Sequence, residues 1–234
     1  MSDKTALLIM IGGFSFCILT FGIIIAVMVS RGKKHAKKVR MLAGMHGFKY
    51  EGKDLDDVLR DGKGCYPFVY FNDCKKKGIH HKVYHVIRKT HTNTTITICD
   101  YTTGRRSEGG SFWYHYSYTL MLIVSPAIEL PDFVCAPPEG IPTLESVPGF
   151  EQNMEIQQLQ NYIIKGKNND AVQSLFNNEV IDFVKRNYEL VVEGHRGVFL
   201  CYYYKGTENW NFSTIEDWEQ LAKLADDCIR LFCR

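Results

Sequence analysis

Charge is missing where most soluble chains carry it. Between Lys4 and Arg31 there is no charged residue in 26 positions, and after Asp3 no carboxylate occurs before Glu51. Neither Cys-x-x-Cys nor His-Glu-x-x-His is present, which removes the commonest signatures of a structural zinc and of a zinc hydrolase. Gly109-Gly110 is not followed by Gly-Lys-Ser or Gly-Lys-Thr, so it is no phosphate loop; with Gly104 it reads as the flexible tip of a hairpin. No internal repeat and no low-complexity tail is found.

A basic surface on the body of the protein is also lacking. Lys4 and a collar of Arg31, Lys33, Lys34, Lys37, Lys38 and Arg40 hold seven of the 28 basic groups, and Asp3 one of the 26 acidic groups. What remains is 21 against 25, a net of −4, although the whole chain is formally +2. Nucleic-acid binding wants a basic stripe on the domain itself, and none is visible. The eight cysteines are even in number, but Cys17 falls in the apolar run, and Cys99, Cys135 and Cys201 fall in apolar, strand-like runs where a free thiol packs as a small hydrophobe. This is the pattern of a reducing compartment. Asn93-Thr94-Thr95 and Asn211-Phe212-Ser213 match the glycosylation pattern, which is common by chance and would need the opposite orientation to the one argued below.

The uncharged run, residues 5–30, is filled by Leu, Ile, Met, Phe and Val. About 20 apolar residues are what a hydrocarbon layer of about 30 Å requires. A cleaved signal peptide has an apolar core of only about 7 to 15 residues followed by a small-residue cleavage site. This run is longer and ends at the basic collar, a stop-transfer pattern. Basic flanks are retained in the cytoplasm, so the sequence predicts the N-terminus outside and the large domain cytoplasmic. Within the run Gly22, Ala26 and Ser30 recur every fourth residue, the small-xxx-small spacing that lets two membrane helices approach closely; small residues are also simply common in such helices. Topology alone explains the collar, and binding of anionic lipid would add roughly 1 kcal/mol per basic residue. Ala36, Val39, Met41, Leu42 and Met45 carry the helical pattern on as a stalk that stops at Gly44 or Gly47.

From Phe48 to Pro138 the pattern is that of strands. Residues 66–71 make one run; 79–87 and 94–101 make a pair joined near 90–93. Residues 112–124 are the clearest, since Phe112, Tyr114, Tyr116, Tyr118, Leu120, Leu122 and Val124 share one face at a period of two and predict a core face. On the other face solvent is expected at His115, Ser117 and Thr119 before Met121 and Ile123 close it off. Pro126, Pro131, Pro137, Pro138, Pro142 and Pro148 limit the next section to a connection with one short strand, 133–136. Then follow an amphipathic helix over Val172, Leu175, Phe176, Val180, Phe183 and Val184 behind a cap at Asn169, a hairpin of 190–192 and 198–204, and a last helix with Ser213 and Glu216 at capping-box spacing.

Residues with chemistry are few. His80, His81, His85 and His91 lie close in sequence, and alternation puts His81 and His85 on one face; exposed strand histidines are the plainer reading, and no metal is expected. A nucleophilic Cys99 or Cys201 would need a partner base that sequence does not display. Asp100 and Tyr101 stand at the end of an apolar strand, where a carboxylate is usually solvated or caps a turn.

The runs Ile98-Cys99-Asp100-Tyr101-Thr102-Thr103-Gly104, Leu130 to Glu139 with its Pro131-Asp132-Phe133, Tyr162-Ile163-Ile164-Lys165-Gly166, and Val192-Glu193-Gly194 resemble those of a group of uncharacterised bacterial single-span, membrane-anchored proteins. Their shared features are an Asp-Tyr strand end, a Pro-x-Phe strand and a Val-Glu-Gly hairpin. The resemblance implies the same topology and no catalytic residue. Cys99 stands where the pattern has Phe, and its aromatic near Met154 is absent.

The expected fold class is α+β, an N-terminal transmembrane helix followed by a mainly antiparallel β-sheet domain with C-terminal helices. The expected divisions are an anchor at 1–30, a basic juxtamembrane stalk at 31–47 and a domain at 48–234 with a sub-boundary near 137–150. The expected function is that of a non-catalytic protein-interaction or membrane-surface module. The alternative is an enzyme with Asp100, Tyr101 and His115 in a pocket at the strand ends. No cofactor and no nucleic acid is expected. The expected partners are the bilayer with its anionic headgroups, a membrane or cytoplasmic protein, and a second copy through Gly22, Ala26 and Ser30. Transport through the span itself has little support, because one helix without internal charge must oligomerise to form a path.

Overall fold

The computed structural model describes residues 3–53, 55–62, 80–106, 113–138, 154–203 and 214–232. It divides into two compact units, Met1–Met41 and Leu42–Arg234. The first is most of helix α1 (Asp3–Met45), 43 residues long. Within it Phe14–Met45 contains an 18-residue stretch of mean hydropathy 2.1, none of it buried, which makes the helix long and apolar enough to cross a membrane. The helix stops where predicted. Gly47 takes φ +72, the left-handed conformation open to glycine, and the Phe48 and Gly47 N–H groups turn back to the carbonyls of Ala43 (2.7 Å) and Gly44 (3.4 Å).

The second unit is an α+β domain on one antiparallel sheet of eight strands: β1 (Lys49–Gly52), β2 (His80–His91), β3 (Thr94–Arg106), β4 (Trp113–Val124), β5 (Phe133–Ala136), β6 (Ile163–Gly166), β7 (Leu190–His195) and β8 (Val198–Tyr203). Their order is β1-β2-β3-β4-β8-β7-β5-β6. Strands from both sides of 137–150 thus join in one sheet. Residues 139–150 lie outside the described residues, as do the predicted strand at 66–71 and the hairpin tip at Gly109-Gly110. A short helix missed in the sequence, α2 (Leu55–Asp61), is held to the sheet by charge: Arg88 of β2 reaches Asp57 (3.3 Å) and, on β1, Glu51 (3.1 Å).

Both faces of the sheet are core. One gathers Val83, Val86, Cys99, Tyr101, Leu120, Leu122, Val134, Val191, Leu200 and Tyr202. That Val83 and Val86 meet there, three residues apart, reflects a bulge between Tyr84 and Ile87 with His85 at φ +57. The bulge breaks the alternation that placed His81 and His85 on one face, and His85 instead meets the Tyr50 hydroxyl at 3.1 Å. The other face is covered by the C-terminal helix α5 (Ile215–Phe232), whose Trp218, Leu221, Ala222, Ala225 and Cys228 are buried. Phe232 stacks on Phe199 of β8 at 4.4 Å. Solvent therefore does not reach Thr119, which is 3% exposed: an 18-residue helix from the far end of the chain lies over it.

Two further expectations are corrected. The single helix after residue 169 is two, α3 (Asn169–Leu175) and α4 (Asn178–Arg186), because a second cap intervenes. Asn168 accepts from the Ala171 N–H and Asn177 from the Val180 N–H, so each asparagine starts its own helix. The capping box of α5 lies one residue beyond Ser213. The Asp217 carboxylate accepts from the Thr214 N–H (2.9 Å) and the Thr214 hydroxyl from the Asp217 N–H (3.4 Å).

Gly194 pairs with Phe133 across β7 and β5, and a Cβ at Gly194 would stand 2.7 Å from the Phe133 ring atom Cδ1. The Pro-x-Phe and Val-Glu-Gly motifs are thus the two sides of one contact, an aromatic ring over a bare backbone. Cys99, Cys135, Cys201 and Cys228 are buried and unbridged, and burial raises the thiols of Cys99 and Cys135, which makes them poor nucleophiles.

Candidate functional site

Asp100 and Tyr101, singled out in the sequence, point to opposite faces of β3. Asp100 is not at a strand end, since β3 continues to Arg106. The residue is 7% exposed, and its Oδ1 accepts from the indole Nε1–H of Trp218 (2.9 Å) and from the hydroxyl of Thr119, its register partner (3.5 Å). Tyr101, the next residue in the strand, belongs to the opposite face and is wholly buried in the other core layer. His115 pairs with Gly104, four positions along β4 from Thr119. Asp100 ties α5 to the middle of the sheet, and Tyr101 fills the layer beneath.

A different group of titratable side chains converges at the far end of the sheet. Asp132, just before β5, bonds through Oδ1 to His195 Nδ1 at the end of β7 (2.6 Å) and through Oδ2 to Lys167 Nζ after β6 (2.6 Å). The Lys167 N–H also donates to the Asp132 carbonyl at 3.1 Å, so side chain and backbone together close the three strand ends. Burial works to raise the Asp132 pKa. The hydrogen bond from Lys167, with the charges of His195 and Lys167, outweighs it and holds the carboxyl below the usual range. The bond at Nδ1 orients the imidazole and leaves Nε2 as its second polar atom.

Asp132 and Lys167 of this cluster line an open cleft of about 960 Å³ between the 126–131 connector, the Arg196–Gly197 turn and α3. Pro126, Leu130, Pro131 and Leu175 supply apolar wall, and Asp132, Lys167 and Arg196 supply charge. Ser125 fixes the connector. Its hydroxyl receives hydrogen bonds from Thr94 (3.0 Å) and the Ala127 N–H (3.3 Å), and its own N–H donates to the Gly197 carbonyl (3.0 Å). Sequence reading missed the cluster because its members are 63 and 35 residues apart and match no local motif. The Pro-Asp-Phe and Val-Glu-Gly-His runs do contain two of them.

On α1 the six collar residues and Gly22, Ala26 and Ser30 are all exposed in their unit. The three small residues line a shallow groove that Lys33, Lys34 and Lys37 continue.

An α+β domain on one antiparallel sheet, joined to a helix apolar and long enough to cross a membrane, is the class of protein that fold and sequence define. No family model matches the chain, and no curated protein matches it in sequence. Among solved structures it is similar to the crystal structure of the mycobacterial trehalose monomycolate transport factor A, TtfA, with a TM-score of 0.51 and 12% identity. The likeness covers 85% of this chain and 96% of that one, and at this identity it is a likeness of fold.

Proposed function

We propose that the chain is a single-span membrane protein whose C-terminal domain is cytoplasmic and acts as a non-catalytic binding module, for a protein partner or for the bilayer surface. The observation that carries this reading is the apolar helix running without a break into six exposed cations. An uncharged run of this length followed by a basic flank is what a retained, inward-pointing anchor requires. The fold shared with a protein named a transport factor is consistent with an accessory role beside a membrane transport process, rather than with a path through one helix.

Crosslinking of the full-length protein in its native membrane, followed by mass spectrometry, tests this. One stoichiometric protein crosslinked to the domain is the expected result for an adaptor. Recovery of the protein alone or with lipid only removes the adaptor and leaves the surface module. Orientation is tested by Lys223→Cys, an exposed site on α5: an impermeant thiol reagent applied to intact cells should leave it unmodified.

A second reading is favoured by the Asp132–His195 pair, which is arranged as an acid–base pair beside a cleft. On that reading the enzyme alternative moves away from Asp100 and Tyr101. A turnover found in a substrate screen and abolished by His195→Ala would establish it.

A further inference from the structure

The cleft beside Asp132 is mounted on a frame that is fixed before any ligand arrives. Its connector is pinned at both ends by backbone hydrogen bonds, the Ser125 N–H to the Gly197 carbonyl (3.0 Å) and the Lys167 N–H to the Asp132 carbonyl (3.1 Å). Between those ends Ile128 and Leu130 are buried, and the Ile128 N–H closes a turn on the Ser125 carbonyl (3.1 Å). Lys167 and Arg196, the two basic residues of the lining, thus stand on backbone that is tied to opposite ends of one connector. A site preformed in this way loses little binding free energy to its own ordering.

The charges of the lining differ in their partners. Asp132 is engaged on both carboxylate oxygens, by Lys167 and by His195 at 2.6 Å each. Arg196, exposed on the turn between β7 and β8, forms no hydrogen bond or ion pair with any described residue. Glu129, exposed on the connector, forms none either, so the two do not pair with each other. A guanidinium presents a planar fork of donors that matches a carboxylate or a phosphate. Glu129 opposes the approach of a polyanion, which leaves a ligand with a single anionic head as the better fit. Pro126, Leu130, Pro131 and Leu175 make the rest of the wall apolar, and about 960 Å³ lies within the size range of small-molecule sites.

We propose that this cleft binds a small organic anion, one carboxylate or phosphate head on an apolar body, with Arg196 holding the head and the proline and leucine wall the body. The inference goes beyond the readings above, since it needs neither a protein partner nor turnover. A soluble metabolite and a single-headed lipid such as a fatty acid offer the same chemistry, and the test separates them.

The full-length chain in phosphatidylcholine nanodiscs is titrated with para-fluorocinnamate, and binding is read from broadening of the fluorine NMR line against empty discs. Saturable broadening beyond that blank is expected. Arg196→Gln should weaken binding about tenfold, and so should exchange of the probe for its neutral amide, para-fluorocinnamide. Lys223→Gln, which removes an exposed cation from α5, should leave it unchanged. Leu175→Ser should weaken acid and amide alike. Unaltered denaturant unfolding of the Arg196 variant reports that it is folded. Displacement of the Arg196-dependent signal by oleate carried in the disc assigns the site to a lipid, and its persistence assigns it to a soluble anion. Broadening no greater than in empty discs, or equal in wild type and Arg196→Gln, overturns the proposal.

Discussion

Two aspartates in the same sheet show how differently one side chain is used. Asp100, in the centre, meets the neutral donors Trp218 and Thr119 beneath a helix, whereas Asp132, at the far end, meets Lys167 and His195 beside an open cleft. The first is sealed and ties the C-terminal helix to the strands. The second is held by Lys167 and His195, has its pKa lowered, and gathers three strand ends beside a cleft open to solvent. A carboxylate's surroundings, and not its place in a strand, decide whether it is structural or available for chemistry.

The largest effects should come from the sealed side. Trp218→Ala removes a fully buried ring and the indole donor to Asp100, and should cost about 3 to 5 kcal/mol of stability in denaturant unfolding. Trp218→Phe keeps one aromatic ring in the site and removes the N–H with the rest of the indole, so a smaller loss of about 1 to 3 kcal/mol is expected. Equal losses for the two would mean that the Asp100 bond, rather than the ring, carries the contact. Next comes the glycine under Phe133. Gly194→Ala forces the ring aside and should cost about 1 to 3 kcal/mol, much of it recovered in the double variant with Phe133→Leu.

The open side should respond less, and to pH. Because the folded Asp132 pKa lies below its unfolded value, its contribution is present above about pH 4 and is lost as pH falls through the folded pKa. Lys167 is half exposed, which limits the gain from that pair. Asp132→Asn should therefore lower stability by about 1 kcal/mol at neutral pH and make acid unfolding less steep than in the wild type. Profiles that stay parallel down to the acid limit would place the ion pairs of Asp132 among those with no net effect. Outside the sheet, Gly22→Leu with Ala26→Leu should leave the domain's unfolding unchanged and weaken any self-association in detergent or bilayer. An unchanged oligomer size would remove that helix face from the account.

The sequence was legible where one element decides its own structure. The stop of α1 at Gly47, the strand at Phe133–Ala136 and the alternation of Leu120 and Leu122 were all local patterns. Reading failed where a local signal had a close competitor or where the deciding partner was remote. Asn177 restarts a helix inside what scans as one apolar stripe, and Thr214 displaces Ser213 as cap. Asp100 looked solvated because its cover, Trp218, is 118 residues away. The Asp132 cluster was invisible for the same reason, as strand order alone brings β5, β6 and β7 together.

Membrane anchorage by α1 is the claim on which the rest depends, and alkaline carbonate extraction of native membranes tests it most directly. The account predicts that the full-length chain stays in the membrane pellet, whereas a variant with Ile18→Lys and Ile24→Lys in the apolar run is released. Release of the wild-type chain into the soluble fraction would contradict the anchor and, with it, the cytoplasmic placement of the domain.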